Sequence, residues 1–125
     1  MKKIIILFCF ILGISLAGCN KQIEQEPISL NNGERWSVDT AMLEHITAME
    51  NAVTTFSAGE DISTLKNSLQ TDIKGLTSKC IMQGQAHDEL HKWLMPLMQT
   101  VDTMDGPESL ESLKQHFITF HTFFE

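Results

Sequence analysis

Four blocks of apolar residues recur along this chain at three- and four-residue spacing, each closed by a short breaker. The first carries Met42, His45, Ile46, Met49, Ala52, Val53 and Phe56 and stops at Gly59. The second opens at Asp61 and shows Ile62, Leu65, Leu69, Ile73 and Leu76 on one face. The third, over residues 86–104, turns His87, Leu90, His91, Leu94, Leu97, Met98 and Val101 inwards. The fourth, over residues 108–124, offers Leu110, Leu113, Phe117, Phe120, His121 and Phe124. This period is that of an α-helix with one buried stripe. The alternation of a half-buried strand is absent. A helix with one apolar stripe must bury it against others, and short connections make consecutive helices antiparallel. The sequence therefore predicts an all-α, up-down-up-down four-helix bundle over residues 34–125.

Local signals place the helix ends. Ser37 or Asp39 suits the first N-cap, with the helix carrying on to residue 58, where Gly59 provides a C-cap. Lys74 and Lys79 lie in the last turns of the second helix, opposite the negative end of its dipole. Residues 80–85 form the next turn with Gly84 as breaker. Pro96 falls inside the third helix and should kink or split it. Asp105-Gly106-Pro107 is a tight connection into the fourth.

The chain begins Met1-Lys2-Lys3, continues with an apolar run from Ile4 to Leu16, and then reads Ala17-Gly18-Cys19. A basic start, a short apolar stretch and small residues before a cut site make a secretory signal over residues 1–18. The run falls short of the ~20 residues of a membrane span. Leu16-Ala17-Gly18-Cys19 closely resembles the lipobox of bacterial lipoproteins. That resemblance implies cleavage before Cys19, lipid on Cys19 and a membrane-anchored mature chain. Asn20 follows, without the Asp that retains such proteins, which implies the outer membrane, facing the periplasm. Residues 19–33 are polar, with Pro27 and Asn31-Asn32-Gly33, and read as a lipidated tether.

Loss of Lys2 and Lys3 leaves seven basic against sixteen acidic side chains, a formal −9. This acidity argues against nucleic acid as a partner and against electrostatic adhesion to anionic membranes. Attachment falls to the lipid. With Cys9 removed and Cys19 acylated, Cys80 is the one thiol left in an oxidising compartment. Such a residue is a small hydrophobe, an intermolecular cross-link, a reactive thiol or a metal ligand.

Its neighbours favour the ligand. Lys79-Cys80-Ile81-Met82-Gln83-Gly84-Gln85-Ala86-His87-Asp88-Glu89-Leu90-His91 gathers a thiol, a thioether and two imidazoles at one helix corner. His87 and His91 lie one helical turn apart on one face and can chelate one ion. Thiolate and thioether select Cu(I), while Cys and His alone suit zinc. The primary set is Cys80, Met82, His87 and His91, with copper as the ion. Up-down topology brings the helix-1 start and the helix-4 end to the same end of the bundle. All five histidines are thus expected in one half, with Met42, His45 and His121 as auxiliary donors. Met42, Met49, Met95, Met98 and Met104 lie at helical spacing and read as adaptable core. Trp36 and Trp93 read as core or rim packing.

Other chemistries are weaker. His87-Asp88-Glu89-Leu90-His91 has the outer histidines of the zinc-protease helix motif but Asp88 where that motif needs Glu. Glu89 is rotated about 100° away, so no enzyme is predicted. Haem b is the alternative cofactor, since Met42 and His121 occupy places like those of the axial ligands in the cytochrome b562 class. A scaffold or interaction lipoprotein with structural histidines is the other alternative. The segment Cys80-x-Met82-x-Gly84-x-Ala86-His87-x-x-Leu90-His91 also resembles a pattern in small uncharacterised bacterial lipoproteins of four-helix type, and this brings no activity with it. The reading is a lipid-anchored metal-binding bundle that sequesters, senses or hands on its ion, with a protein partner left open.

Overall fold

The computed structural model describes residues 25–125. The expected signal peptide and the expected lipid attachment at Cys19 lie outside these residues. The described chain forms four α-helices, α1 (Thr40–Thr55), α2 (Ile62–Lys79), α3 (Gly84–Thr103) and α4 (Glu108–Phe123). α1 packs most heavily on α2 and α3 on α4, while the α1–α4 and α2–α3 seams are thinner. No sheet is present among the described residues. The all-α four-helix bundle expected from the periodicity is the fold observed.

The caps are those that local chemistry dictates. The Asp39 carboxylate accepts the Ala41 N–H at 2.9 Å, and Asp61 accepts the Ser63 N–H at 2.9 Å. Each thereby satisfies one of the amides left free at a helix start. Hydrogen bonds from the Ser63 hydroxyl and amide hold the exposed Asp61 carboxyl below its ordinary pKa. α1 stops at Thr55, short of the expected end at residue 58. A turn takes over there, in which the Glu60 N–H donates to the Ser57 carbonyl and the Ser57 N–H to the Glu60 carboxylate. Gly84, expected as a breaker, is instead the first residue of α3 with φ +72°. That left-handed entry favours glycine.

Two further expectations are adjusted. Of the kink or split expected at Pro96, the split is absent, since α3 is continuous from Gly84 to Thr103. A proline at this position leaves the carbonyl four residues back without its helical donor. Here that carbonyl belongs to Lys92, and the Gln25 side-chain amide donates to it at 2.7 Å. Secondly, His91 and His121 point outwards, not into the core. The inner face of α3 is Leu90, Trp93, Leu94, Leu97 and Val101, so the stripe turns about Trp93. Trp93 lies 4.9 Å from Phe120 between ring centroids, and its indole N–H donates to the His116 carbonyl at 2.7 Å. Of the methionines, Met42, Met49 and Met104 are core as expected, whereas Met95 is 59 % exposed and Met98 half-buried.

Residues 25–38 lie against the bundle. The Ser29 N–H donates to Glu89 at 2.8 Å, and the Trp36 indole N–H donates to the Ser29 carbonyl at 2.6 Å. Trp36 and Val38 then pair with the chain end, the Trp36 N–H reaching the Phe123 carbonyl and the Val38 N–H the Glu125 carbonyl. Glu89 is the one charged residue buried among the described residues.

The α1–α2 seam depends on a missing side chain. A Cβ built on Gly75 would stand 2.5 Å from His45 Cε1. In an unconstrained helix interior, Gly→Ala stabilises by roughly 1 kcal/mol. At Gly75 the sign should reverse, because the His45 ring must move or the helices separate, costing about 1–3 kcal/mol. Thermal denaturation of Gly75→Ala checks this, with a lower Tm expected. Restoration of the Tm by adding His45→Ala would identify the ring as the obstacle, and a raised Tm in the single variant would refute the packing account.

Candidate metal centre

The α2–α3 corner is built by two helix ends meeting over four residues. Cys80 leaves α2 in an extended conformation, and Gly84 starts α3 after Gln83. This short reversal sets Cys80 Sγ 3.4 Å from His87 Nδ1, both side chains half-buried. The helical spacing then places the His91 ring 4.3 Å from that of His87 between centroids, tilted by 46°. His91 is exposed, so the corner is open to solvent on that side. Ligand bonds of about 2.3 Å to sulfur and 2.0 Å to nitrogen at a tetrahedral ion put the two donors about 3.5 Å apart. Cys80 and His87 therefore stand at a separation one ion can span. Met82 is half-buried and packs against the core.

The remaining histidines, His45 and His121 among them as expected auxiliary donors, do not join this corner. Each lies on a seam of its own. His45 Nδ1 pairs with Asp72 at 3.0 Å across α1 and α2, and its Nε2 is buried without a hydrogen-bond partner. His116 Nε2 meets the Thr100 hydroxyl at 3.0 Å across α3 and α4. His121 Nε2 meets the Glu50 carboxylate at 2.9 Å across α1 and α4. Sequence distance from a helix end gives height in the bundle but not direction around each axis, and direction is what separates them. Among the described residues no three His, Cys, Asp or Glu side chains group around one point. Met42 is only 1 % exposed in the core, whereas the His121 side chain is 54 % exposed at the surface.

Two features were missed by the sequence reading. Glu89 sits beside the histidine pair yet turns into the protein, where it accepts the Ser29 N–H and, at 3.0 Å, the Lys92 ammonium. Burial alone would raise its pKa, but the bonds from Ser29 and Lys92 together outweigh this and hold it low. Lys92 is correspondingly raised, first through its bond to Glu89. The signal that could have found it was phase, since Glu89 adjoins Leu90 and lies four residues before Trp93. The second feature is a groove beside α3 with His91, Met95 and Met98 on its wall. Their spacing was visible in the sequence; their place on one groove wall was not.

No protein-family model matches the chain, and comparisons with curated proteins and with solved structures likewise give no match.

The α3–α4 seam carries a pH dependence. Burial pushes the His116 pKa below its ordinary value, because the charged ring would lose hydration. The unfolded chain therefore takes up this proton more readily than the folded one. Stability from this seam should be complete above the unfolded histidine pKa of about 6.5 and decline as pH falls below it towards the folded value. Denaturant unfolding at a series of pH values, with His116→Gln alongside, checks the sign. The wild type should lose more stability than the variant on acidification, and equal losses would refute the assignment.

Proposed function

We propose that this chain is a non-catalytic, lipid-anchored bundle protein of the bacterial cell envelope that binds one soft metal ion at the α2–α3 corner. Copper(I) is the ion favoured. Cys80 and His87 are the two primary donors, with His91 as an exchangeable third from the solvent side. The observation that carries this reading is the 3.4 Å separation of Cys80 Sγ and His87 Nδ1 beside a second imidazole. Copper(I) accepts so small a set, because it is well served by a thiolate and an imidazole. Zinc prefers four ligands, which this corner does not gather from His, Cys, Asp or Glu among the described residues. Met82 would add a thioether by rotating out of its half-buried position. The lipid anchor rests on Leu16-Ala17-Gly18-Cys19. No helix among the described residues is long and apolar enough to cross a membrane.

The work of such a site is sequestration, sensing or transfer of the ion. Partial exposure suits exchange with a partner better than permanent storage. Haem b is less favoured, because Met42 lies in the core while His121 meets Glu50 at the surface. A scaffold or interaction lipoprotein is the second reading. It is favoured by His45, His116 and His121, each of which already has a hydrogen-bond partner on a neighbouring helix.

Anaerobic titration with Cu(I) against a competing chelator tests the binding. The expected result is one tightly held ion per chain that both Cys80→Ser and His87→Ala eliminate, with His91→Ala weakening it by about tenfold, or 1.4 kcal/mol. Wild-type binding that survives both primary substitutions would refute the site, and an absorbance band on haem addition would move the reading to haem. The anchor is checked separately, since Cys19→Ala should move the chain out of the membrane fraction. Unchanged fractionation would remove the lipid from the proposal.

A further inference from the structure

A groove of about 680 Å³ runs along the outer side of α3, and His91, Met95 and Met98 all line it. Met95 is 59 % exposed, an unusual placement for a methionine when Met42, Met49 and Met104 of the same chain are 0–4 % exposed. His91 and Met95 are one turn apart, and Met98 follows three residues later, so all three project from neighbouring positions on one face. Thioether and imidazole are the donors that soft monovalent cations accept. The Lys92 ammonium also lines the groove, yet it is bound by Glu89 at 3.0 Å and by Glu26 at 3.6 Å, which offsets its charge. Asp102 adds a carboxylate to the same wall. The groove is thus soft in its donors and acidic in its balance.

We infer that His91, Met95 and Met98 form a second soft-cation site on α3, taking Cu(I) or Ag(I), and that His91 is shared between it and the corner. The transfer part of this inference rests on the copper reading of Cys80 and His87. His91 stands beside His87, with ring centroids 4.3 Å apart, and also on the groove wall. An ion held by Cys80 and His87 gains a His91 nitrogen as that exposed ring turns towards it, and keeps this bond while the Cys80 sulfur leaves and the Met95 sulfur enters. No electron moves in this exchange. The thiolate left behind recovers its proton from solvent, and the ion now lies against thioethers, which release it more readily than thiolate does. The second site is therefore the outlet from which a partner would collect the ion.

Ag(I), which binds like Cu(I) without redox chemistry, is the probe. Methyl resonances of the methionines in the full chain, assigned by single Met→Leu variants, are followed during Ag(I) addition. Met95 and Met98 should shift to saturation in the wild type and also in Cys80→Ser/His87→Ala, where the corner is removed, while Met42, Met49 and Met104 stay in place. His91→Ala should weaken the effect by about tenfold, as loss of one donor predicts. Unmoved Met95 and Met98 resonances while the corner still binds its ion would overturn the second site and leave the corner reading intact. Shifts at Met95 and Met98 in a wild-type chain whose intact corner takes up no Cu(I) would instead overturn the transfer from Cys80.

Discussion

The buried carboxylate of Glu89 is the interaction on which the described arrangement turns. It accepts the Ser29 amide and the Lys92 ammonium, and it is the one charged residue buried among the described residues. A buried charge is tolerated only when its oxygens are paired, so the segment before the bundle is held in one register. From Ser29 the tie continues to the indole of Trp36, and from Trp36 to the backbone at Phe123 and Glu125. The first and last described segments are thereby fastened to each other, across α3 and α4. The Lys92 carbonyl freed by Pro96 is met by Gln25, which adds a second attachment to the same helix. A proline that would otherwise leave an unsatisfied carbonyl becomes a docking point.

The polar side chains at the helix seams explain why His45, His116 and His121 stay away from the α2–α3 corner. His45 with Asp72, His116 with Thr100 and His121 with Glu50 each cross a different pair of helices. Such pairs satisfy groups that packing would otherwise desolvate. They also take their histidines away from the α2–α3 corner. What remains there is Cys80, His87 and His91, a set fixed by one four-residue reversal and one helical turn. In the copper reading proposed above, few donors and an open side suit an ion that is to be handed on. The exposed Met95 and half-buried Met98 further along α3 set thioethers along the helix instead of at the same point.

The sequence by itself determined the four helices, their order, the caps at Asp39 and Asp61 and most of the core. It did so because hydrophobic period, capping side chains and short connections are local properties that packing here reinforces. The neighbourhood of Cys80, His87 and His91 was legible for the same reason, since all of it lies within twelve residues of chain. Only the tertiary structure decided the rest. The rotation of α3 about its axis set Trp93 inside and His91 and Met95 outside, a difference of about 100° per residue that a stripe shared by apolar and amphipathic side chains does not resolve. The separation of the other histidines, the burial of Glu89 and the rescue of the Pro96 break by Gln25 each join residues 16 to 71 positions apart. Such contacts depend on which faces meet once the helices pack, and no local period records that.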